Sequence, residues 1–277
     1  MAAVSKINLM KTFARFLSLA PFLLGASLCL GAGSVPAGIN NASYDRLLKK
    51  YVNSQSLVAY EKWKSNAEDR KALDDYLEQF AQSGNASGSD RHASLINAYN
   101  AFTLQWILRG YPTESIWQLD HSFKAARHKL GGATVSLNDI ENNMLRPEFG
   151  YRTHAVLVCA ARSCPPLQQS AYTADQLDDR VARAYRTWLG RSDLNEFLID
   201  KDEAKGSNIF KWFKGDFEKA GGGKAIMAKY APATAKSLLE KPNVKISYKP
   251  YNWGLNDQGQ HGRNYSRAQL LLDNLFK

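Results

Sequence analysis

Cysteine is scarce in this chain: three in 277 residues, at positions 29, 159 and 164. No Cys-x-x-Cys or His-x-x-x-His pair occurs, and His92, His121, His128, His154 and His261 are dispersed, so no metal centre is expected. No Gly-x-Ser-x-Gly is present, so a serine hydrolase of that type is not signalled. "KLGGAT" and "AGGGKA" lack the strand–helix context and GK[ST] ending of a phosphate loop, and "GGGKA" reads as a turn. No cofactor is implied. Blocks of like charge are also missing: Lys201 and Lys205 sit among Asp200, Asp202 and Glu203, and Lys241 follows Glu240. The formal charge of +10 is therefore scattered, which excludes a basic arm for nucleic acid. It leaves a mild positive excess suited to an anionic partner such as envelope polymer or lipid headgroups.

What is present begins with an export pattern. Lys6, Lys11 and Arg15 precede an apolar run, "FLSLAPFLLGASLCL" (16–30), and Val35-Pro36-Ala37 offers the small residues of a cleavage site. The run is shorter than the roughly twenty residues of a membrane span. Residues 1–37 are expected to be a cleaved signal peptide, giving a periplasmic or secreted protein with no stable transmembrane segment. Lipidation at Cys29 is disfavoured because Leu28 precedes it where a small residue is needed. Removing the three leader cations lowers the formal charge from +10 to +7. Residues 38–277 are enough for one good-sized domain.

Along that domain, "YDRLLKKYV" and "ALDDYLEQFAQS" place apolar residues three and four apart and predict helices within 43–82. Residues 83–90, "SGNASGSD", read as a loop. Asp90 or Ser94 then caps a buried helix that ends at Gly110. "ATVSL" predicts a short strand, with Ser136 or Asn138 capping a helix that Pro147 stops. Residues 153–160 form a continuous apolar run that predicts an inner strand. An amphipathic helix covers roughly 174–189, "SNIFKWF" and "KAIMAKYA" read as helices, and "EFLID" and "VKISYK" as strands. The fold class is α+β, with helices packed around a small, mainly antiparallel sheet.

Cys164 has features of a nucleophile: it follows Arg162 and Ser163 in a turn, precedes two prolines, and a guanidinium nearby favours its thiolate. Cys159 offers an alternative, because an oxidising compartment pairs such thiols if the chain turns back after Ala160. Two inert buried thiols are a third reading. His154 is the candidate base, although an extended 154–160 would set it some 20 Å from the strand end. Glu141 is the candidate partner that orients it. Asn97, Tyr99 and Asn100 lie on the buried helix, where the amides either satisfy backbone groups or polarise a substrate carbonyl.

"LINAYNAFTLQWIL", "VSLNDIENNMLRP", "HAVLVCAARSCPPL", "AYTADQLDDRV", "NIFKWFKGDF" and "YNWGLND" occur in the order found in the domain of unknown function 547 family, which the chain resembles over roughly residues 60–257. The family pattern falls here on Asn97, Tyr99, Asn100, Glu141, His154, Cys164, Pro165 and Trp253. Asn142 stands where the family often has histidine, so any role of that histidine does not carry over. The resemblance implies an envelope or secreted protein related to papain-like and transglutaminase-like thiol enzymes. Two functions follow as expectations. One is a thiol hydrolase or transferase acting on an amide or isopeptide of a peptide-containing envelope substrate. In it Cys164 attacks, His154 is base, Glu141 orients it, and Asn97, Tyr99, Asn100, Arg162 and Ser163 contact substrate. The other is a non-catalytic binding or scaffold module closed by a Cys159–Cys164 disulfide.

Overall fold

Three- and four-residue spacing of large side chains shapes the N-terminal part of the computed structural model, which describes residues 34–275. Residues 1–33, most of the expected signal peptide, and 276–277 lie outside the described residues. Helix α1 (Ala42–Tyr51) buries Tyr44, Leu47, Leu48 and Tyr51 on one face. It packs on α3 (Ala67–Glu78), which follows the short α2 (Tyr60–Ser65). Tyr44 stacks on Tyr76 and Tyr51 on Trp63, each with ring centroids 4.6 Å apart. Asn66 caps α3 by accepting from the Asp69 amide.

Helix α4 (Gly88–Gly110) is buried on most of its sides and contacts α2, α3 and the segment carrying Glu141. It starts earlier than its sequence suggests: Ser87 occupies the cap position, not Asp90 or Ser94. It ends at Gly110, before Tyr111-Pro112, where a Cβ would lie 2.4 Å from the tip of the Leu119 side chain.

The strands form two separate sheets. His128–Leu130 (β1) and Ala133–Val135 (β2) make an antiparallel hairpin around Gly131 and Gly132, both at positive φ. Glu196–Leu198 (β3), Glu203–Ser207 (β4) and Lys245–Lys249 (β5) form a mixed sheet, with β3–β4 antiparallel and β4–β5 parallel. The architecture is α+β. Around the larger sheet lie α6 (Leu177–Leu189) and the short helices α7 (Asn208–Trp212), α8 (Lys214–Glu218), α9 (Gly223–Tyr230) and α10 (Ala233–Glu240), with α5 (Arg146–Phe149) earlier in the chain. Their shared core includes Trp188 stacked on Phe210, with centroids 5.1 Å apart.

Two local expectations are corrected. Residues 153–160 are not a strand: a 3-10 helix spans Gly150–Ala155 and irregular chain follows. The apolar run reflects burial, and its backbone is satisfied by local turn bonds and by side chains rather than by a sheet. Pro147 does not stop the preceding helix either. A π-helix (Asp139–Leu145) runs directly into α5, with Pro147 in the first turn of α5. Ser136 takes the capping role through reciprocal bonds with Asp139, at 2.9 Å and 3.0 Å between backbone amide and side-chain oxygen. Among the described residues no helix is long and apolar enough to cross a membrane.

Candidate functional site

Asn97 and Asn100 sit one turn apart on α4 and act as clamps. Asn100 donates to the Val156 carbonyl and accepts from the Val158 amide, both at 2.9 Å. Asn97 makes the same pair of bonds with Tyr172, both at 2.8 Å. Both amides are thus committed to backbone on either side of the cysteine loop, and neither lines the cavity described below. The expectation that they polarise a substrate carbonyl is not supported by their placement.

Between the clamps the chain reverses at Ala160, whose φ is 61°. Residues 160–163 are laced to 252–256: the Arg162 amide donates to the Gly254 carbonyl (2.8 Å), the Ser163 amide to the Asn252 carbonyl (3.2 Å), and the Asn256 amide to the Ala160 carbonyl (2.9 Å). The Ser163 hydroxyl oxygen accepts from the Asn252 amide at 2.8 Å. The Arg162 guanidinium turns away from the sulfurs to the carbonyls of Asp257 and His261. Arg162 and Ser163 therefore hold the loop and do not line the cavity. A Cβ on Gly254 would lie 1.9 Å from the Gly262 carbonyl oxygen, so this lacing depends on glycine.

The lacing delivers Tyr251 to the cysteines. The Cys164 sulfur accepts from the Cys159 amide at 3.1 Å and lies 3.2 Å from the Tyr251 hydroxyl. The Cys159 sulfur, unbonded, is 2.6 Å away from it. Burial would push the Cys164 thiol up, but bonds from Cys159, Tyr251 and the Ala161 backbone outweigh it and hold Cys164 below the usual thiol range. Cys159 goes the other way: its bond to Cys164, then burial, raise it well above the ordinary value. Of the two sulfurs, Cys164 is the one whose thiolate form is favoured.

Both sulfurs face a cavity of about 330 Å³ whose walls include Tyr99, Trp117, Phe123, Glu141, His154, Phe213, Tyr251 and Trp253. His154 is not far from Cys164 along a strand, as extended chain would require: the two line one cavity. No hydrogen bond joins them among the described residues. The partner of His154 is Asp216, with Nε2 2.8 Å from the Asp216 carboxylate, not Glu141. Arg146 Nε donates to the same Asp216 oxygen at 2.7 Å. Burial lowers the His154 imidazole to about 4, against the opposing pull of Asp216. At neutral pH the ring is therefore uncharged, donates Nε2–H to Asp216 and keeps Nδ1 as an acceptor. The ring stacks on Phe213, centroids 4.1 Å apart.

Glu141 reaches the cavity from the π-helix, an element often found where a side chain is re-aimed. The Tyr99 hydroxyl lies 3.4 Å from its carboxylate. Burial raises the Glu141 carboxyl above its usual range, with Arg146 opposing. Among the described residues no cluster of three His, Cys, Asp or Glu suited to a metal occurs.

The sequence reading missed Asp216 and Tyr251. Both stand in motifs it quoted, "NIFKWFKGDF" and "YNWGLND", but nothing local marks an aspartate 62 residues from its histidine. No curated protein and no solved structure matches the chain significantly. Residues 84–189, a shorter stretch than the motifs suggested, carry Glu141, His154, both cysteines and the asparagine clamps but not Asp216 or Tyr251, and this segment matches the model of the family described as "Protein of unknown function, DUF547".

Proposed function

We propose that the protein is a cysteine-dependent hydrolase or transferase acting on an amide or isopeptide bond in a peptide-containing substrate, in the periplasm or outside the cell. The observation that carries this reading is the convergence of hydrogen bonds on the Cys164 sulfur at the wall of a cavity that His154 also lines. The Cys164 thiolate attacks the substrate carbonyl, forming a C–S bond. The C–N bond then breaks and the amine leaves with the proton that His154 Nδ1 took from the Cys164 thiol during the attack. Water or a second amine takes the acyl group from sulfur and restores the thiol. His154 moves these protons through Nδ1, with Asp216 in the orienting place first assigned to Glu141. Glu141, whose protonated form burial favours, faces the same cavity and suits donation to the carbonyl oxygen.

Alkylation with iodoacetamide followed by peptide mapping tests the proposal. Cys164 is expected to label faster than Cys159 at neutral pH, and more slowly when His154 is replaced by glutamine. Equal labelling of the two cysteines, unaffected by His154→Gln, would overturn it. The second reading, a non-catalytic module closed by a Cys159–Cys164 disulfide, draws on the 2.6 Å separation of the sulfurs. Mass spectrometry without reductant on protein recovered from its native compartment separates the two. A quantitative disulfide there would rule out a free nucleophile.

A further inference from the structure

The cavity has a mouth that the proposed chemistry does not use. Trp212, at the end of α7, is 47% exposed although it is one of the largest apolar side chains. Its ring lies nearly parallel to that of Trp253, at 19° and 5.8 Å, and 4.8 Å from Tyr251. Trp253 in turn meets Tyr251 at 4.6 Å and Trp117 at 5.3 Å. These rings form a continuous track from solvent to the Tyr251 hydroxyl that touches Cys164. Tyr251 and Trp253 come from the chain after β5, Trp212 from α7 and Trp117 from the 3-10 turn Ile116–Gln118, so three remote segments supply one aromatic wall.

Polar groups also line the cavity. Lys124 and Asn138 are exposed and border it together with Asn142. Asn138 uses its carbonyl oxygen to accept from Asn142, which leaves its own amide hydrogens for another acceptor. An alkyl chain laid here would desolvate these donors without replacing their water, which is costly. A cationic ligand is disfavoured too. Asp216 is already shared by Arg146 and His154, Glu141 is held toward its neutral form, and Lys124 is itself positive. The cavity therefore matches a neutral ring with apolar C–H faces and hydroxyl or amide acceptors at its edge. Such faces lie on the electron-rich surface of indole rings, while the edge groups meet amide and ammonium donors.

We infer that Trp212, Trp253 and Tyr251 form a saccharide subsite, and that the acyl group handled at Cys164 is carried next to a neutral N-acetylated amino sugar. The inference extends the proposed function, sharing its cavity, but sugar binding requires no turnover. The test is a tryptophan-fluorescence titration of the full chain with triacetylchitotriose, with decanoate and a tetrapeptide amide as comparison ligands. Saturable binding of triacetylchitotriose is expected, weakened at least tenfold by Trp212→Ala and by less than threefold by Trp212→Tyr, which keeps a ring. Asn138→Ala is expected to weaken it several-fold. Cys164→Ala is expected to bind like the parent, so loss of the thiol mechanism leaves this result standing. Absent triacetylchitotriose binding, preferential binding of decanoate or the peptide amide, or a Trp212→Ala variant that melts like the parent and binds equally well would overturn the inference.

Discussion

Replacing Tyr251 by phenylalanine removes one hydroxyl from the sulfur pair and leaves the ring in its place between Trp212 and Trp253. The hydroxyl lies 3.2 Å from the Cys164 sulfur and 3.5 Å from that of Cys159. A hydrogen bond to a charged group contributes about 1.5–3 kcal/mol. One pKa unit corresponds to about 1.4 kcal/mol, so losing the bond to the thiolate should raise the Cys164 titration midpoint by about one to two units. The Cys159 amide and thiol remain as donors, so the thiolate is weakened and not abolished. The assay is the pH dependence of iodoacetamide labelling at Cys164, followed by peptide mapping in parent and Tyr251→Phe proteins. An unchanged midpoint in a variant that melts normally would refute the claim that Tyr251 helps hold the thiolate.

Two further outcomes follow from the same geometry. Asn100→Ala leaves the buried Val156 carbonyl and Val158 amide without partners. At about 1–3 kcal/mol per unsatisfied group, it should cost about 2–6 kcal/mol in denaturant unfolding, and a loss below 1 kcal/mol would count against the clamp. His154 titrates at about 4 in the folded chain against an ordinary 6.5, so the unfolded chain binds the extra proton between those values. The stability from this group is complete above about pH 6.5 and is lost as pH falls toward 4, amounting to about 3 kcal/mol. The Gln variant at 154 should show a shallower loss of stability across that interval than the parent; parallel curves would refute the assignment.

Helices were legible where one face repeated. Tyr44, Leu47, Leu48 and Tyr51 announce α1, and the end of α4 at Gly110 follows from the Gly-Tyr-Pro that closes it. Residues 153–160 misled because continuous apolarity reports burial, and burial there is achieved by Asn100 bonding the backbone in place of a neighbouring strand. Strand β4, "EAKGS", escaped notice because it has no β-branched or aromatic residue and is defined by its partners on both sides. At the site, Cys164, His154 and Glu141 were named from local sequence and do line one cavity. Their partners were not legible, since Asp216 and Tyr251 are brought in by tertiary packing alone. Asn97 and Asn100 were picked out as two asparagines in a buried helix, a pattern that a backbone clamp produces as readily as a substrate contact.

The lacing of residues 160–163 to 252–256 sets a timetable for the molecule. Closing contacts across some ninety residues carries a loop-closure cost that local contacts escape, and such topologies fold late. Until residues 251–261 dock, the cysteine loop has neither Tyr251 beside its sulfur nor the carbonyls that receive Arg162. During synthesis, which delivers residue 164 well before residue 251, the two thiols are neighbours in sequence with no finished cavity around them. The surroundings that favour a thiolate at Cys164 are therefore completed only by the part of the chain that is made last.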